Sequence, residues 1–488
     1  MPCRGAGYHF PPKGHHTGIT PMITKRTASL FAFFVLLPVA LFSAAASAAS
    51  HSYSQEKQLL PQVSVTNGWF GDALAMDGDT AVVAAPGDDS GWGAVYVFER
   101  DGDNWRLSAR LTVPQSGSSQ PLRAVAVSGD TIVVGRSTDS NIKGNHAGAV
   151  YLFEKPDGGW RNMTEATKKL MAGDGATNRT FGTAVSIHGD TLVVGAAGRG
   201  NSYPGAAYVF QSSDTGWQQV AKLTASDGAD GDLFGFSLDM EGDRIVVGAY
   251  GKNDDTGAAY LFTKPESGWG DAEESARLSV QRLSSGDQFG YAVAVSASHI
   301  AVGADRDDDN GTDAGAVYLF SGSKWSLQEK VIPDDGFDDQ GFGYAVDIAG
   351  NTLLVGALLD NHNGFKSGSV YPFRVSCDSV VPLEEIGALD GAAEDRFGGA
   401  VAISGNRLLV GAYTKTVNGE SSAGSAYMFV GTADDTSGSG SLNCVGSDDN
   451  DGSDSNGAGS GGGGAWLLLS LAWLYLPLRW RSRPAGSG

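Results

Sequence analysis

A Phe-Gly pair recurs at Phe70-Gly71, Phe181-Gly182, Phe234-Gly235, Phe289-Gly290, Phe342-Gly343 and Phe397-Gly398, and Pro121-Leu122 fills the slot of a seventh, degenerate copy. The intervals are 51, 60, 53, 55, 53 and 55 residues. A period of this length marks an array of like units, each of which buries its apolar faces against its neighbours. Every copy runs through the same pieces. In the third copy, Phe181 to Ile187 reads as a strand, Gly189-Asp190 as a two-residue turn, and Leu192-Val193-Val194-Gly195-Ala196 as an almost continuous apolar strand. Gly205 to Phe210 and the stretch from Trp217 to Leu223 read as two more. The turn recurs as Gly78-Asp79, Gly129-Asp130, Gly242-Asp243, Gly350-Asn351 and Gly405-Asn406, with Ala297-Ser298 as the exception. Glycine at the first central position suits a type II′ hairpin, because it accepts positive φ without a steric cost. No amphipathic helix of useful length separates the strands, which excludes an alternating α/β pattern.

Antiparallel strands that are apolar on both faces need a neighbour on each side, and sheets stacked about an axis supply both. The sequence therefore predicts an all-β fold: a seven-bladed β-propeller of four-stranded antiparallel blades. An open β-solenoid is the alternative, but its coils are much shorter than this period. The last copy has no fourth strand after Phe429. A spare segment, Glu56-Lys57-Gln58-Leu59-Leu60, precedes the first copy and matches Ala221-Lys222-Leu223 and Ala276-Arg277-Leu278. This N-terminal strand is predicted to enter the last blade and close the ring, which removes the exposed sheet edges.

The ensemble of Phe-Gly, then Leu/Val-Val-Gly-Ala, then Gly-Ala-Val-Tyr-Val-Phe resembles the FG-GAP repeats of integrin α-subunit propellers and of many bacterial surface proteins, over residues 53–431. The resemblance implies ligand binding at the end of the ring that carries the loops preceding the Tyr-containing strands. Integrin repeats often hold calcium in a longer Asp-rich loop between the first two strands. Here that connection is a two-residue turn, so those ligands have no counterpart.

The flanking segments read as addresses. Residues 1–21 form an upstream segment, with translation expected to start at Met22. Residues 22–48 have the charged, apolar, small-residue order of a secretory signal, with cleavage expected at Ala48. Residues 432–464 are a Gly/Ser/Asp-rich linker. Residues 465–488 combine an apolar helix too short for a comfortable membrane span with a basic end. This tail resembles the Gly-Gly-type C-terminal sorting signals of Gram-negative bacteria. The resemblance implies recognition by a sorting protease at the membrane, followed by display on the cell surface or release.

The formal net charge is −21, which disfavours nucleic acid as a partner. Much of the acid gathers in loops expected at one end of the ring: Asp88, Asp89, Asp227, Asp230, Asp254, Asp255, Asp334, Asp335 and Asp338. These residues are the predicted ligand face. Asp305, Asp307, Asp309 and Asp313 alternate along one loop with a glycine for a sharp bend, and are the candidate Ca²⁺ ligands. A solvated acidic loop is the competing reading of the same residues. Cys377 and Cys444 leave the same end of adjacent blades, and export permits a disulfide between them. There is no HExxH, Walker loop or GxSxG elbow, and the histidines are scattered. The expectation is an exported, monomeric, non-enzymatic binding protein for an extracellular protein or glycan. The alternatives are an envelope module without a ligand and a propeller enzyme acting on polysaccharide.

Overall fold

A computed structural model describes residues 52–114, 122–198, 203–334 and 336–432. The upstream segment, the signal with Ala48, Pro121, Asp335, Cys444, all but the first residue of the linker, and the tail lie outside the described residues. Seven sheets are present, each built on successive antiparallel strands, with the N-terminal strand added in blade 7 and a short parallel strand added in blade 3. Blade 1 comprises Leu74–Asp77, Thr80–Ala85, Ala94–Asp101 and Asn104–Leu111. The innermost strands of blades 2 to 7 are Ala124–Ser128, Val185–His188, Ser237–Glu241, Ala292–Val295, Phe342–Ala349 and Phe397–Ser404. In the Gly-Asp and Gly-Asn turns only the glycine has positive φ, from 53° to 59°, as a type II′ turn requires.

The N-terminal strand closes the ring as the sequence predicts. Tyr53–Leu59 pairs antiparallel with Ser425–Gly431, the third strand of blade 7, from Tyr53 opposite Gly431 to Leu59 opposite Ala426. Where that pairing shifts register, Glu56 accepts hydrogen bonds from Arg407 Nε of blade 7 at 3.1 Å and Trp105 Nε1 of blade 1 at 3.2 Å. One strand thus completes blade 7 and ties it to blade 1.

The seams explain the repeat. Each Phe of a Phe-Gly pair is buried and packs edge-on against the Tyr and Phe of its own third strand; Phe181 lies 5.6 Å from Tyr208 and 5.8 Å from Phe210. The same Phe bridges to the glycine that opens the preceding blade's third strand, as at Gly148 with Phe181 and, around the closure, Gly424 with Phe70. On the other side of the seam, a Cβ placed on Gly195 would lie 2.0 Å from the carbonyl oxygen of Gly235 in the next blade. Only glycine permits that approach. Blade 1 has Ala84 at this position, and the slot it faces is the degenerate one, where buried Leu122 replaces the glycine. Arg136 of blade 2 stands where the other six blades have alanine. It is buried, with its guanidinium over the rings of Trp92 and Tyr151 at 5.6 and 5.4 Å. A cation–π stack there takes the place of the aromatic packing made by the missing Phe.

Blade 3 departs from the expected four strands. Ala272–Glu273, from the long loop between the outer strands of blade 4, adds in parallel to Gln218–Thr224 and makes a fifth. Met163 of blade 2 bridges to Leu111 of blade 1 in the same way. Each addition occupies hydrogen-bonding groups of an outer edge that would otherwise be exposed.

Candidate functional site

The loops before the third strands and the loops before the Phe-Gly pairs meet at one end of the ring. Backbone hydrogen bonds join them across seams: Asp339 N to Thr312 O at 2.7 Å, Gln288 N to Asp255 O at 2.8 Å, and Asn178 N to Asn145 O at 2.9 Å. Much of the acid there is structural. The third-strand tyrosine of each blade is buried, and its hydroxyl needs an acceptor. Each donates to one aspartate: Tyr96 to Asp88, Tyr151 to Asp139, Tyr208 to Asp174, Tyr260 to Asp227, Tyr318 to Asp307, Tyr371 to Asp360 and Tyr427 to Asp390. A cationic side chain from the fourth strand completes the clamp in the first five blades, as with Lys169 on Asp139 at 3.0 Å and Lys330 on Asp307 at 2.7 Å. In blade 7 the N-terminal strand supplies Gln58, 3.2 Å from Tyr427 Oη.

The predicted ligand face therefore divides. Asp88 is buried, with Arg110 at 3.4 Å, and Asp227 is bound by Arg277 at 2.9 Å and Lys252 at 3.3 Å. Asp89 lies in the tight turn Asp88–Gly91. Asp230, Asp254, Asp255, Asp334 and Asp338 are exposed. The Asp338 carboxylate accepts the Thr312 N–H at 2.8 Å. The four candidate calcium ligands do not converge. Asp307 and Asp309 share the Lys330 ammonium, at 2.7 and 2.5 Å, while Asp305 is buried in another direction. Among the described residues, no group of three or more His, Cys, Asp or Glu is arranged to hold a metal. Cys377 is disulfide-bonded, and both other cysteines, Cys3 and Cys444, lie outside the described residues.

A second cluster was not expected. The residue after each Phe-Gly and the residue after each Val-Gly-Ala sit where the innermost strands begin, at the loop end of the axial channel. In blades 4 to 6 the residue after Phe-Gly is aromatic, and the residue after Val-Gly-Ala is Tyr250 in blade 4, Asp305 in blade 5 and Leu358 in blade 6. Phe236 lies 4.6 Å from Tyr250 and 5.3 Å from Tyr291; Tyr291 lies 5.1 Å from Tyr344. All four rings are part-exposed. Tyr413 extends the group in blade 7, accepting a hydrogen bond from Arg396 at 2.7 Å. At the position after the Phe-Gly slot, blades 1 to 3 are polar, with Asp72 paired to Arg123 at 3.3 Å, followed by Thr183. Asp305 is 7% exposed, and its Oδ1 has no hydrogen-bond partner. Its charge acts on Tyr250, Tyr291 and Tyr344 together. Burial pushes its carboxyl up to about 7 against the opposing pull of Arg306. The arrangement is an aromatic cluster in blades 4 to 6, polar residues at the matching position in blades 1 to 3, and a buried carboxyl whose charge reaches the tyrosines. Stacking the seven copies would reveal the aromatic run after Phe-Gly in blades 4 to 6; read singly, each ring passes for core.

The axial channel, about 540 Å³, is lined by the innermost strands of all seven blades. Asp239 and Asp347 face it. Asp239 accepts the Ser186 hydroxyl of blade 3 at 3.1 Å and the Val295 N–H of blade 5 at 2.8 Å. Asp347 accepts the N–H groups of Ile348 at 2.7 Å and of Ile403, in blade 7, at 2.6 Å. Burial raises Asp239 to about 6; burial, then the charge of Asp239, raises Asp347 to about 7. These carboxylates satisfy backbone donors on the inner sheet edges, which have no further strand to pair with.

The family model described as FG-GAP repeat matches residues 53–98, 123–153, 164–210, 217–262, 273–320, 325–373 and 383–429. No curated protein matches the chain. Among solved structures, the crystal structure of the computationally designed Ika8 protein aligns with a TM-score of 0.43 at 11% identity, over 77% of this chain and 100% of that one.

Proposed function

The chain belongs to the FG-GAP repeat family, and from that premise we propose that it is an exported, non-enzymatic binding protein that recognises an extracellular protein or glycan through the loop end of its propeller. The observation that carries this reading is the part-exposed aromatic cluster at the end of the ring that also carries exposed Asp254, Asp255, Asp334 and Asp338. The cluster spans three blades outside the repeated Phe-Tyr-Phe packing of the seams, and a partly exposed patch of this kind marks a recognition surface. The structural clamps hold the surrounding loops in place, so the surface is preorganised.

Export rests on the signal ending at Ala48, and display or release on processing of residues 465–488 by a membrane sorting protease. The mature C-terminus, measured by mass spectrometry from cell and medium fractions, tests that route. Arrays of extracellular proteins and glycans test recognition. Asparagine at Asp254, Asp255, Asp334 and Asp338 should abolish capture of any hit with little change in melting temperature, and alanine at Tyr291 should do so with a lowered one, because its ring packs on Phe236, Tyr250 and Tyr344. Capture that survives both sets of changes would refute this surface.

A further inference from the structure

Five blades cover the outer flank of the blade before them, and blade 6 does not. In blades 1 to 5 the chain that leads into the fourth strand carries a tryptophan. Each of Trp105, Trp160, Trp217, Trp269 and Trp325 packs in the apolar cluster shared with the preceding blade. Two of these connections are long and share the pattern Lys-Pro-x-x-Gly-Trp-x-Asn/Asp, at 155–162 and 264–271. Both add a short parallel arm to an outer strand. Asn162 accepts the Arg110 N–H of blade 1 at 2.8 Å; Met163 then accepts from Thr112 N at 2.9 Å and donates to Arg110 O at 3.1 Å. Asp271 accepts the Lys222 N–H of blade 3 at 2.7 Å, and Ala272 pairs with Leu223. In blade 6 the connection is only Ser376-Cys377-Asp378-Ser379, and the cluster shared with blade 5 contains no tryptophan.

The edge left without an arm is Ser326–Val331 of blade 5. Lys330 faces Tyr318 there as Lys222 faces Tyr208 and Arg110 faces Tyr96, so its N–H points outward. Among the described residues, no backbone hydrogen bond reaches Lys330 or Ile332 from blade 6. A groove of about 400 Å³ runs along this edge, between Lys330, Val331 and Ile332 on one side and Tyr371, Val380 and Pro382 on the other. An open edge beside an apolar groove accepts one more strand. The chain holds a candidate at the head of the groove. Gln328 Nε2 donates to Ser376 O at 2.9 Å, which seats the Cys377 turn against blade 5, and Cys377 is disulfide-bonded. The described chain ends at Thr432, and Cys444 follows twelve residues later, a reach of ~40 Å when extended. By strand pairing, Cys377 stands in register with Asp157 and Glu266, each five residues before the capping Asn162 or Asp271; Asp449 stands five residues after Cys444.

We propose that Cys444 is the disulfide partner of Cys377, and that residues 445–450 lie along the outer strand of blade 5 as its missing arm, with Asp449 accepting the Lys330 N–H. The disulfide takes the place of the continuous loop by which blades 2 and 4 deliver their arms. Forming it removes two protons and two electrons from the thiols, which pass to an exported thiol–disulfide oxidant. The linker thereby leaves the ring beside blade 5 instead of at the end of blade 7.

The test joins disulfide mapping to hydrogen exchange, both read by mass spectrometry on the full chain after export. Non-reduced peptides should link Cys377 to Cys444. The amides of Lys330 and Ile332 should exchange roughly tenfold or more slowly in the full chain than in a chain ending at Cys444, which keeps the disulfide but has no arm. Asp449→Ala in the full chain should lose several-fold of that protection. Melting curves identify a variant that fails to fold; if the shortened chain does, Asp449→Ala and Val445→Pro make the same comparison. A link from Cys377 to Cys3, or a free Cys377 thiol, overturns the proposal, and so does equal exchange with and without the arm. Protection that rises with protein concentration would assign the groove to a second copy of the chain. Protection of the full chain that appears only on adding a peptide of residues 264–274 would assign it to a strand from another protein. Either result also overturns the proposal.

Discussion

Replacing Asp347 with asparagine should reverse its effect on stability between acid and mildly alkaline pH. In the folded ring this carboxyl titrates near 7, against an ordinary 3.8. A carboxyl raised on folding makes the native state bind more protons than the unfolded chain between those two values. Stability is therefore lost as pH rises from about 4 to about 7, and the loss is complete above. At about 1.36 kcal/mol per pH unit, the gap caps the cost of the ionised group near ~4 kcal/mol. Lumen water screens part of this, and we take roughly half, ~2 kcal/mol. Asparagine removes that cost but accepts with one oxygen where Asp347 accepts from both Ile348 and Ile403, a loss of about 1 kcal/mol. The variant should thus be less stable than the parent by ~1 kcal/mol near pH 4.5 and more stable by ~1 kcal/mol near pH 8. Thermal melting of both proteins across that range reads the crossing, at roughly 1–2 °C per kcal/mol for a domain this large. Asp239→Asn should in turn lower the titration of Asp347, because the charge of Asp239 contributes to its elevation. A constant difference between Asp347→Asn and the parent at every pH would refute the assignment of a raised carboxyl in the lumen.

Removing residues 53–59 should lower the melting temperature of the whole ring, because it strips the fourth strand from blade 7 and the Glu56 tie to blade 1; unchanged melting would count against closure. Gly195→Ala should destabilise by ~2 kcal/mol or more, since the new Cβ would meet the Gly235 oxygen at 2.0 Å, whereas Ala84→Gly should cost only about 1 kcal/mol by urea titration. Lys330→Ala should destabilise by roughly 3 kcal/mol, because Asp307 would be left buried without its cation. Calorimetry with millimolar Ca²⁺ should register heat in that loop only after Lys330 is removed; heat from the parent protein that is lost in Asp307→Ala would overturn this.

The ring was legible because its determinants repeat. Phe-Gly, the Gly-Asp turn and the Gly-Ala-Val-Tyr-Val-Phe strand each have a local physical cause, and repetition strengthens a weak signal. The spare strand around Leu59 was legible for the same reason, as a fourth strand without a blade. The clamps were not, because their acid comes from two places. Six residues after the first residue of the apolar pair in the second strand, blades 1, 2, 5 and 6 carry Asp88, Asp139, Asp307 and Asp360, but blades 4 and 7 carry Lys252 and Lys415. In blades 4 and 7 the acceptor for tyrosine comes instead from seven residues before Phe-Gly, at Asp227 and Asp390, and the lysine pairs with it and with Asp232 or Asp395. A position that changes sign between copies looks like surface variation until the third-strand tyrosine reveals its constant demand. The aromatic cluster escaped for the opposite reason: its rings lie just outside the repeated words, at a position that runs from Asp72, Arg123 and Thr183 to Phe236, Tyr291, Tyr344 and Gly399 around the ring.

The pairing of Ala84 with Leu122, where other blades set glycine against glycine, bears on how such rings can be rearranged. A blade is the visible module, but its second strand is matched to the start of the following blade, so grafting whole blades would join mismatched surfaces on both flanks. A segment bounded by Gly-Asp hairpins, from Asp190 to Gly242 for example, keeps together both partners of the close backbone contacts of one seam, Gly195 with Gly235 and Gly205 with Phe234. Shuffled or shortened rings built on those boundaries inherit fitted joints, and the hairpin, rather than the gap between blades, is the natural place to cut.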